Sequence, residues 1–467
     1  MTERSRSLPL AALVALAAAL RLYRLGSESL WVDELITVEF VRRAGAAELL
    51  TIVPAEQPHL PLYYVLLDGW AGLVGTDPAA LRALSAVAGV AAVPAGYAVG
   101  RRFYGHRVGL GVAGLVALSR FQLSYAQQVR MYSLVGLLAL CSFYSFTRLD
   151  ERRWAAGYGV STLALVFTHP FGLLAPAAQA VSLAAGAARS PDGARRPWPL
   201  LAVAGLALPA AVWLLAEART ARITFVDPPG PAAVARLVGA LFTDEPAAAA
   251  ALVGVGVAGG LGGFALRATG GLADADRLTL AWLVVPLAAL AVASYAVTPV
   301  FWPRYAAVAA PGAYLAVARG LAGTDRRRLR VGLALVLVTG LVAGVGAYHT
   351  GDQREQWAEA VATVEQQADA DDLVVVSDRM VLRNYEHYAD RSLETVGVVG
   401  PESGTGRDRT PAAGVRVAVA GEETVWLVFS HVVERERARL LDIAGENRTV
   451  TLHREFVGVE VYRLEKG

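Results

Sequence analysis

The sequence predicts a polytopic α-helical membrane protein with about eleven transmembrane helices and a small extracytoplasmic α/β domain at its C-terminus. Three observations carry this. The 467-residue chain is 55% hydrophobic with a mean hydropathy of +0.43, more apolar than a soluble chain of this length. Its Ala, Gly, Val and Leu residues fall in long runs, and small residues let helices approach closely in lipid. Near residue 350 the apolar runs stop and a charged region with short strand-like runs begins.

The apolar runs, in order, cover 8–24, 78–99, 108–124, 131–148, 154–168, 170–187, 198–216, 247–266, 279–297, 304–320 and 330–348. Residues 8–20 have the length of a signal-peptide core, but no small-x-small cleavage site follows. They are expected to form an uncleaved first helix, with Arg4 and Arg6 holding the N-terminus in the cytoplasm. A further apolar stretch, 60–75, is short, carries Asp68, and is rich in Tyr and Trp.

Arginine distribution decides the status of that stretch. If 60–75 lies along the interface, one side collects Arg101, Arg102 and Arg107, then Arg148, Arg152 and Arg153, then Arg189, Arg195 and Arg196, then Arg267 and Arg277, then Arg326–Arg328 and Arg330. If it spans, the clusters at Arg101 and Arg152 move to the other side, against the positive-inside rule. Residues 25–77 are therefore read as a first outer loop with juxtamembrane helices, inside a transmembrane domain 1–349. The odd number of spans places 350–467 outside.

Within 350–467, a helical pattern at Gln356–Gln367 precedes strand-like runs at Leu373–Ser377, Val415–Ala420, Thr424–Phe429 and Val457–Tyr462. Strands alternating with a helix indicate a small α/β domain. Asn447-Arg448-Thr449 is a glycosylation sequon, a pattern frequent by chance.

Composition excludes several classes. A net charge of +2 does not suggest nucleic acid. Cys141 is the only cysteine, so no disulfide forms within one chain and a thiolate metal site is implausible. There is no P-loop, GxGxxG or metal-ligand spacing, which argues against an ATP-driven pump. Lys466 is the only lysine, a bias that reads as GC-rich codon usage and a prokaryotic source.

Chemistry is then sought at the outer helix ends. Asp33 and Glu34 lie just beyond the first apolar run, where carboxylates are costly unless they have a role. Asp33 has the chemistry of a general base, which takes or orients the proton of an incoming hydroxyl. The plainer reading makes it the N-cap of a helix Glu34–Arg43. Arg82, Arg130 and Arg304 each stand at an outer helix end. A guanidinium offers parallel N–H donors to a phosphate, whereas snorkelling to headgroups is the plainer account of any single one. An aromatic belt accounts for most of Trp31, Tyr63, Tyr64, Trp70, Tyr125, Tyr132, Trp302 and Tyr305, with sugar stacking open for one or two. His59 has the chemistry of a substrate or metal contact, and His169 shares its side.

Short motifs in order along the chain resemble one family. Leu-Trp-Val-Asp-Glu (30–34) is followed by Gln57-Pro58-His59-Leu60-Pro61-Leu62-Tyr63-Tyr64 and by Leu81-Arg82-Ala83-Leu84-Ser85. Ser124-Tyr125-Ala126-Gln127-Gln128-Val129-Arg130-Met131-Tyr132, Trp302-Pro303-Arg304-Tyr305 with Pro311, and Asp352-Gln353-Arg354-Glu355-Gln356-Trp357 complete the set. Together they resemble GT-C glycosyltransferases, closest to the family 39 protein mannosyltransferases and aminoarabinose transferases. The resemblance covers most of residues 1–370. It implies transfer of one sugar, mannose or similar, from a polyprenyl or dolichyl phosphate carrier, with inversion, on the extracytoplasmic face of the plasma membrane. It implies a protein, lipid or glycan acceptor and no nucleic acid. The family's first-loop acid falls on Asp33, with Glu34 beside it, and its phosphate-contacting arginine falls on Arg82. Arg130 and Arg304 would complete the clamp. His59, Tyr63, Gln127, Tyr132 and Tyr305 are further substrate-binding candidates. Two departures stand out: Leu60 separates His59 from Pro61 where relatives read His-Pro-Pro, and Gln128 stands where relatives often carry Glu. A divalent cation is left open, and no other cofactor is implied.

A secondary transporter or flippase for a lipid-linked or small anionic substrate is the rival from another class. Transporters place charges near the bilayer midplane between repeated halves. Here the charges gather at one face and no repeat is visible.

Overall fold

A computed structural model describes residues 3–56, 59–187, 201–209, 211–212, 229–242, 273–377, 379–398, 411–432 and 434–467. The chain divides into two compact units. One comprises Met1–Leu25 with Phe40–His349, the other Gly26–Glu39 with Thr350–Gly467.

The first unit is helical. Its early elements are α1 (Glu3–Leu22), the end of α2 (Val32–Arg43), α3 (Ala46–Glu56), α4 (Leu62–Val74), α5 (Pro78–Tyr104), α6 (His106–Leu118), α7 (Arg120–Ala126), α8 (Tyr132–Phe146), α9 (Arg152–Thr168) and α10 (Leu174–Ala187). Helices Asp274–Ala296, Ala310–Ala322 and Arg327–Thr350 follow among the described residues. The start of α5 is written locally: the Asp77 side chain accepts from the Ala79 N–H at 2.9 Å, and Pro78 occupies the first helical position. α5 and α6 cross at Gly100 and Gly109, where a Cβ on either residue would press on the other helix's backbone.

Three described helices, α5, Asp274–Ala296 and Arg327–Thr350, are long and apolar enough to cross a bilayer. A fourth candidate is the pair α6 and α7, bent by 54°. Several expected spans take shorter form. α8 has 15 residues, α9 has 17 and Ala310–Ala322 has 13, against about 20 for a straight span. The expected span 247–266 and parts of 198–216 lie outside the described residues. The stretch 60–75 becomes α4, 13 residues long.

The bend between α6 and α7 leaves buried helix-end carbonyls that need donors. Arg21, fully buried, provides them: its guanidinium donates to Val116 O at 2.7 Å and Ala117 O at 3.1 Å. Ser119 at the break bonds Leu241 O at 2.8 Å and the Tyr314 hydroxyl at 2.9 Å.

The second unit contains a five-stranded sheet ordered β2-β1-β3-β5-β4, formed by β1 (Leu373–Val376), β2 (Glu394–Gly397), β3 (Thr424–Phe429), β4 (Arg448–Phe456) and β5 (Val459–Lys466). β1 pairs parallel with β2 and β3, and β5 is antiparallel to β3 and β4. Parallel pairing requires crossovers, which helices Arg379–Tyr388 and Pro411–Ala418 supply. The expectation of a strand at Val415–Ala420 is thus corrected. That run lies largely in the second crossover helix, and Val415 and Val419, four residues apart, are both buried. All four residues of β1 are buried, as a strand covered on both faces requires. Val374 and Val376 join Trp357, Val361 and Trp426 in one core, while Leu373 and Val375 join Val425, Leu427 and Leu464 in the other.

Residues Gly26–Glu39 pack within this second unit through named contacts. The Leu30 N–H donates to the Tyr388 hydroxyl at 2.6 Å, and the Ala358 N–H donates to Ser29 Oγ at 3.2 Å. The Gln353 N–H donates to Glu28 Oε1 at 3.1 Å, and Arg383 meets Glu39 at 2.5 Å.

Candidate functional site

In the helical unit, a buried polar cluster forms where α4, α5, the loop after α7 and the turn after α9 come together. It can be built outward from Ser85, three residues beyond Arg82 and so near it on the same face of α5. The Ser85 hydroxyl donates to Arg130 O at 2.9 Å. Its single proton is then spent, so the Tyr63 hydroxyl, 2.9 Å away, is the donor to Ser85 Oγ. One small side chain thereby ties α4 to the loop that carries Arg130. Tyr63, Ser85, Arg82 and Arg130 are all almost fully buried.

Arg130 Nη2 lies 3.0 Å from His59 Nε2. An arginine N–H can only donate, so His59 Nε2 accepts. The Arg130 guanidinium also lies 6.0 Å from the centre of the Tyr132 ring. Arg82 Nη1 donates to Leu25 O at 3.1 Å.

His169 is the hub that reading the sequence did not single out. It sits between α9 and the 3-10 turn Pro170–Leu173, and its Nδ1 accepts from the Phe171 N–H at 3.2 Å. A Cβ at Gly172 would collide with the Leu165 carbonyl, so only glycine lets the turn fold back this closely. The His169 ring lies 6.4 Å from His59, 5.5 Å from Tyr132 and 5.9 Å from Tyr305. Burial first, then His59, Arg130 and Arg304, push its imidazole well below the ordinary range, so it is neutral. The Arg304 guanidinium lies 5.7 Å from the Tyr305 ring centre, in the turn Pro303–Val308.

The structure therefore gathers His59, Tyr63, Arg130, Tyr132, Arg304 and Tyr305 around His169 and Ser85, with Arg82 on the same helix as Ser85. Guanidinium donors, those of Arg82 and Arg130 buried, among rings and hydroxyls suit an anion bearing several acceptor oxygens. Gln127 points its donors elsewhere. Its Nε2 reaches Arg21 O at 3.0 Å and Tyr23 O at 2.8 Å, at the end of α1.

Asp33 and Glu34 belong to the second unit. The Trp31 carbonyl accepts from the N–H groups of Glu34 and Leu35, so the helix starts there and Asp33 lies inside its first turn. A carboxylate in the first turn is favoured by the helix dipole. The Asp33 carbonyl accepts from the Thr37 hydroxyl at 2.9 Å. Glu34 is fully buried, with Arg354 Nε 3.9 Å from its Oε2. Among the described residues, no three His, Cys, Asp or Glu side chains come together as a metal site requires.

No protein-family model and no curated protein sequence matches the chain. Solved structures do match it. ArnT from Cupriavidus metallidurans in the apo state aligns with a TM-score of 0.62 at 13% identity, over 97% of each chain. The same protein bound to undecaprenyl phosphate aligns with a TM-score of 0.58 at 13% identity, over 98% of each. The Archaeoglobus fulgidus oligosaccharyltransferase tethered with an acceptor peptide aligns with a TM-score of 0.59 at 13% identity, over 99% of this chain and 74% of that one. Alignment over nearly the whole chain, helices and C-terminal sheet domain included, shows that the protein has the GT-C glycosyltransferase fold.

Proposed function

We propose that the protein is a membrane glycosyltransferase that moves a single sugar, mannose or a similar hexose, from a polyprenyl phosphate carrier to an acceptor on the extracytoplasmic face. The observation that carries this reading is the cluster of buried Arg130 and His169 with half-buried His59, Arg304 and Tyr305, joined through Ser85 to Tyr63. Its guanidinium donors fit a phosphate held by arginine. Arg82, Arg130 and Arg304 would bind the carrier phosphate, and Tyr132 and Tyr305 would face the sugar. The undecaprenyl phosphate bound to the similar ArnT and the acceptor peptide tethered to the similar oligosaccharyltransferase support the same substrate classes.

In the proposed reaction the acceptor hydroxyl attacks the anomeric carbon while Asp33 takes its proton. The bond from that carbon to the phosphate oxygen breaks, and its electron pair leaves with the polyprenyl phosphate. Configuration inverts because attack and departure lie on opposite faces. The leaving group is an anion held by arginine, so no general acid is needed.

Purified protein in lipid nanodiscs, incubated with a panel of labelled polyprenyl phosphate sugars and acceptors, tests the reading directly. Transfer of one sugar with release of polyprenyl phosphate is expected. Neither transfer nor carrier binding across the panel would sink it. In the active pairing, Asp33→Asn should lower turnover by about 10²–10⁴-fold while carrier affinity stays near wild type. Near-normal turnover would reduce Asp33 to a favourable first-turn charge.

A further inference from the structure

The geometry points to Arg354 as a positioning residue, the clasp by which the C-terminal residues hold the Asp33–Glu34 segment in its working register. This rests on the glycosyltransferase reading above. Arg354 is nearly buried and lies between two carboxylates: its Nη1 is 3.5 Å from Glu28 Oε2 and its Nε is 3.9 Å from Glu34 Oε2. Glu28 and Glu34 bracket the start of α2, one before it and one in its first turn. A single cation attracting both fixes the entry of the chain into the helix.

The surrounding contacts restrain the same short stretch. The residue before Arg354 donates its backbone N–H to Glu28, and Ala358, four residues on, donates to Ser29. Tyr388 accepts from Leu30. These are single hydrogen bonds, whereas Arg354 joins both ends of the stretch and answers a fully buried carboxylate. Taking the Arg354 cation away from the buried Glu34 makes its charge costlier to hold there. A carboxylate that responds by taking up a proton or moving toward water would shift the first turn, and Asp33 is Glu34's immediate neighbour in it. Arg354 touches no reacting atom in this account. It acts through Glu34 on the direction of the Asp33 carboxylate.

The test uses the full chain in nanodiscs with Arg354→Gln and Arg354→Lys. Turnover in Arg354→Gln should fall on the order of 10- to 100-fold, the scale of a misplaced catalytic group. KM for the carrier should stay within about twofold, because positioning of the base affects the chemical step and not carrier binding. Arg354→Lys keeps one cation and should recover part of the loss. Amide hydrogen exchange over residues 26–39 should quicken in Arg354→Gln and less so in Arg354→Lys. Unchanged exchange, or quickened exchange with wild-type turnover, would overturn the proposal. If Arg354→Gln fails to fold, Glu28→Gln removes the outer half of the clasp and should produce the same pattern in weaker form. If the wild-type protein transfers no sugar, the functional reading falls. Exchange then still decides whether Arg354 holds the segment.

Discussion

Two regions of the helical unit each bury an arginine, and they use it differently. At the bend between α6 and α7, Arg21 spends its donors on the backbone carbonyls of Val116 and Ala117. In the cluster around His169, Arg130 is directed at the ring of His59 and lies beside Tyr132. The first arginine repairs broken secondary structure. The second reaches a ring nitrogen and an aromatic face. Burial alone therefore does not mark a binding arginine. What a guanidinium donates to separates the two roles, and Arg82 stands between them, with one donor on the Leu25 carbonyl and a place on α5 one turn before Ser85.

Replacing Arg130 by Ala should give the sharpest contrast. Loss of a preorganised donor to a developing anion should lower turnover by about 10²–10³-fold. Thermal unfolding of the detergent-solubilised protein should move little. A large stability loss that accounts for the missing activity would place Arg130 in the same class as Arg21 and break the comparison. Arg82 should show a graded response. Arg82→Ala should weaken carrier binding and transfer more than Arg82→Lys, which keeps the charge but loses the two-pronged donor. Equal, near-wild-type values for both in binding and single-turnover assays would move Arg82 out of the phosphate clamp. Arg21→Met should do the reverse of Arg130→Ala. Each carbonyl left without its donor should cost about 1–3 kcal/mol of stability. Turnover per folded molecule should hold, as measured by activity normalised to the folded fraction. A fall in turnover without a fall in stability would erase the distinction drawn here.

The parts of this molecule that can be read from the sequence are those set by local pattern. Asp77-Pro78 marks the start of α5, and the apolar run Leu373–Val376 marks a buried strand, because a cap and a strand need only neighbours in the chain. Arg130, Tyr132, Arg304 and Tyr305 lie in short motifs, and the fold brings them around one histidine. That histidine was hidden. His169 stands alone in its stretch, and its importance comes from partners 37 to 136 residues away, which no local spacing encodes. Gln127 misleads for the same reason: it lies inside a suggestive motif, yet its donors serve the end of α1. The run Val415–Ala420 reads as strand because valines alternate with other residues. The parallel order of β2 and β3 demands a helix there, a requirement visible only once the sheet is known. Nor does any short-range signal show that Gly26–Glu39 packs with residues more than 300 positions further on.

The neutral His169 imidazole has a consequence for how the cluster responds to its medium. An anion site built on histidine gains and loses charge near neutrality, and its affinity drifts with acidity. Here burial, with His59, Arg130 and Arg304 around it, holds the His169 ring well below its ordinary range, so acidity near neutrality does not charge it. Arg130 and Arg304 keep their protons throughout the physiological range. The charge that these three groups present to a ligand therefore stays the same as the acidity outside rises and falls.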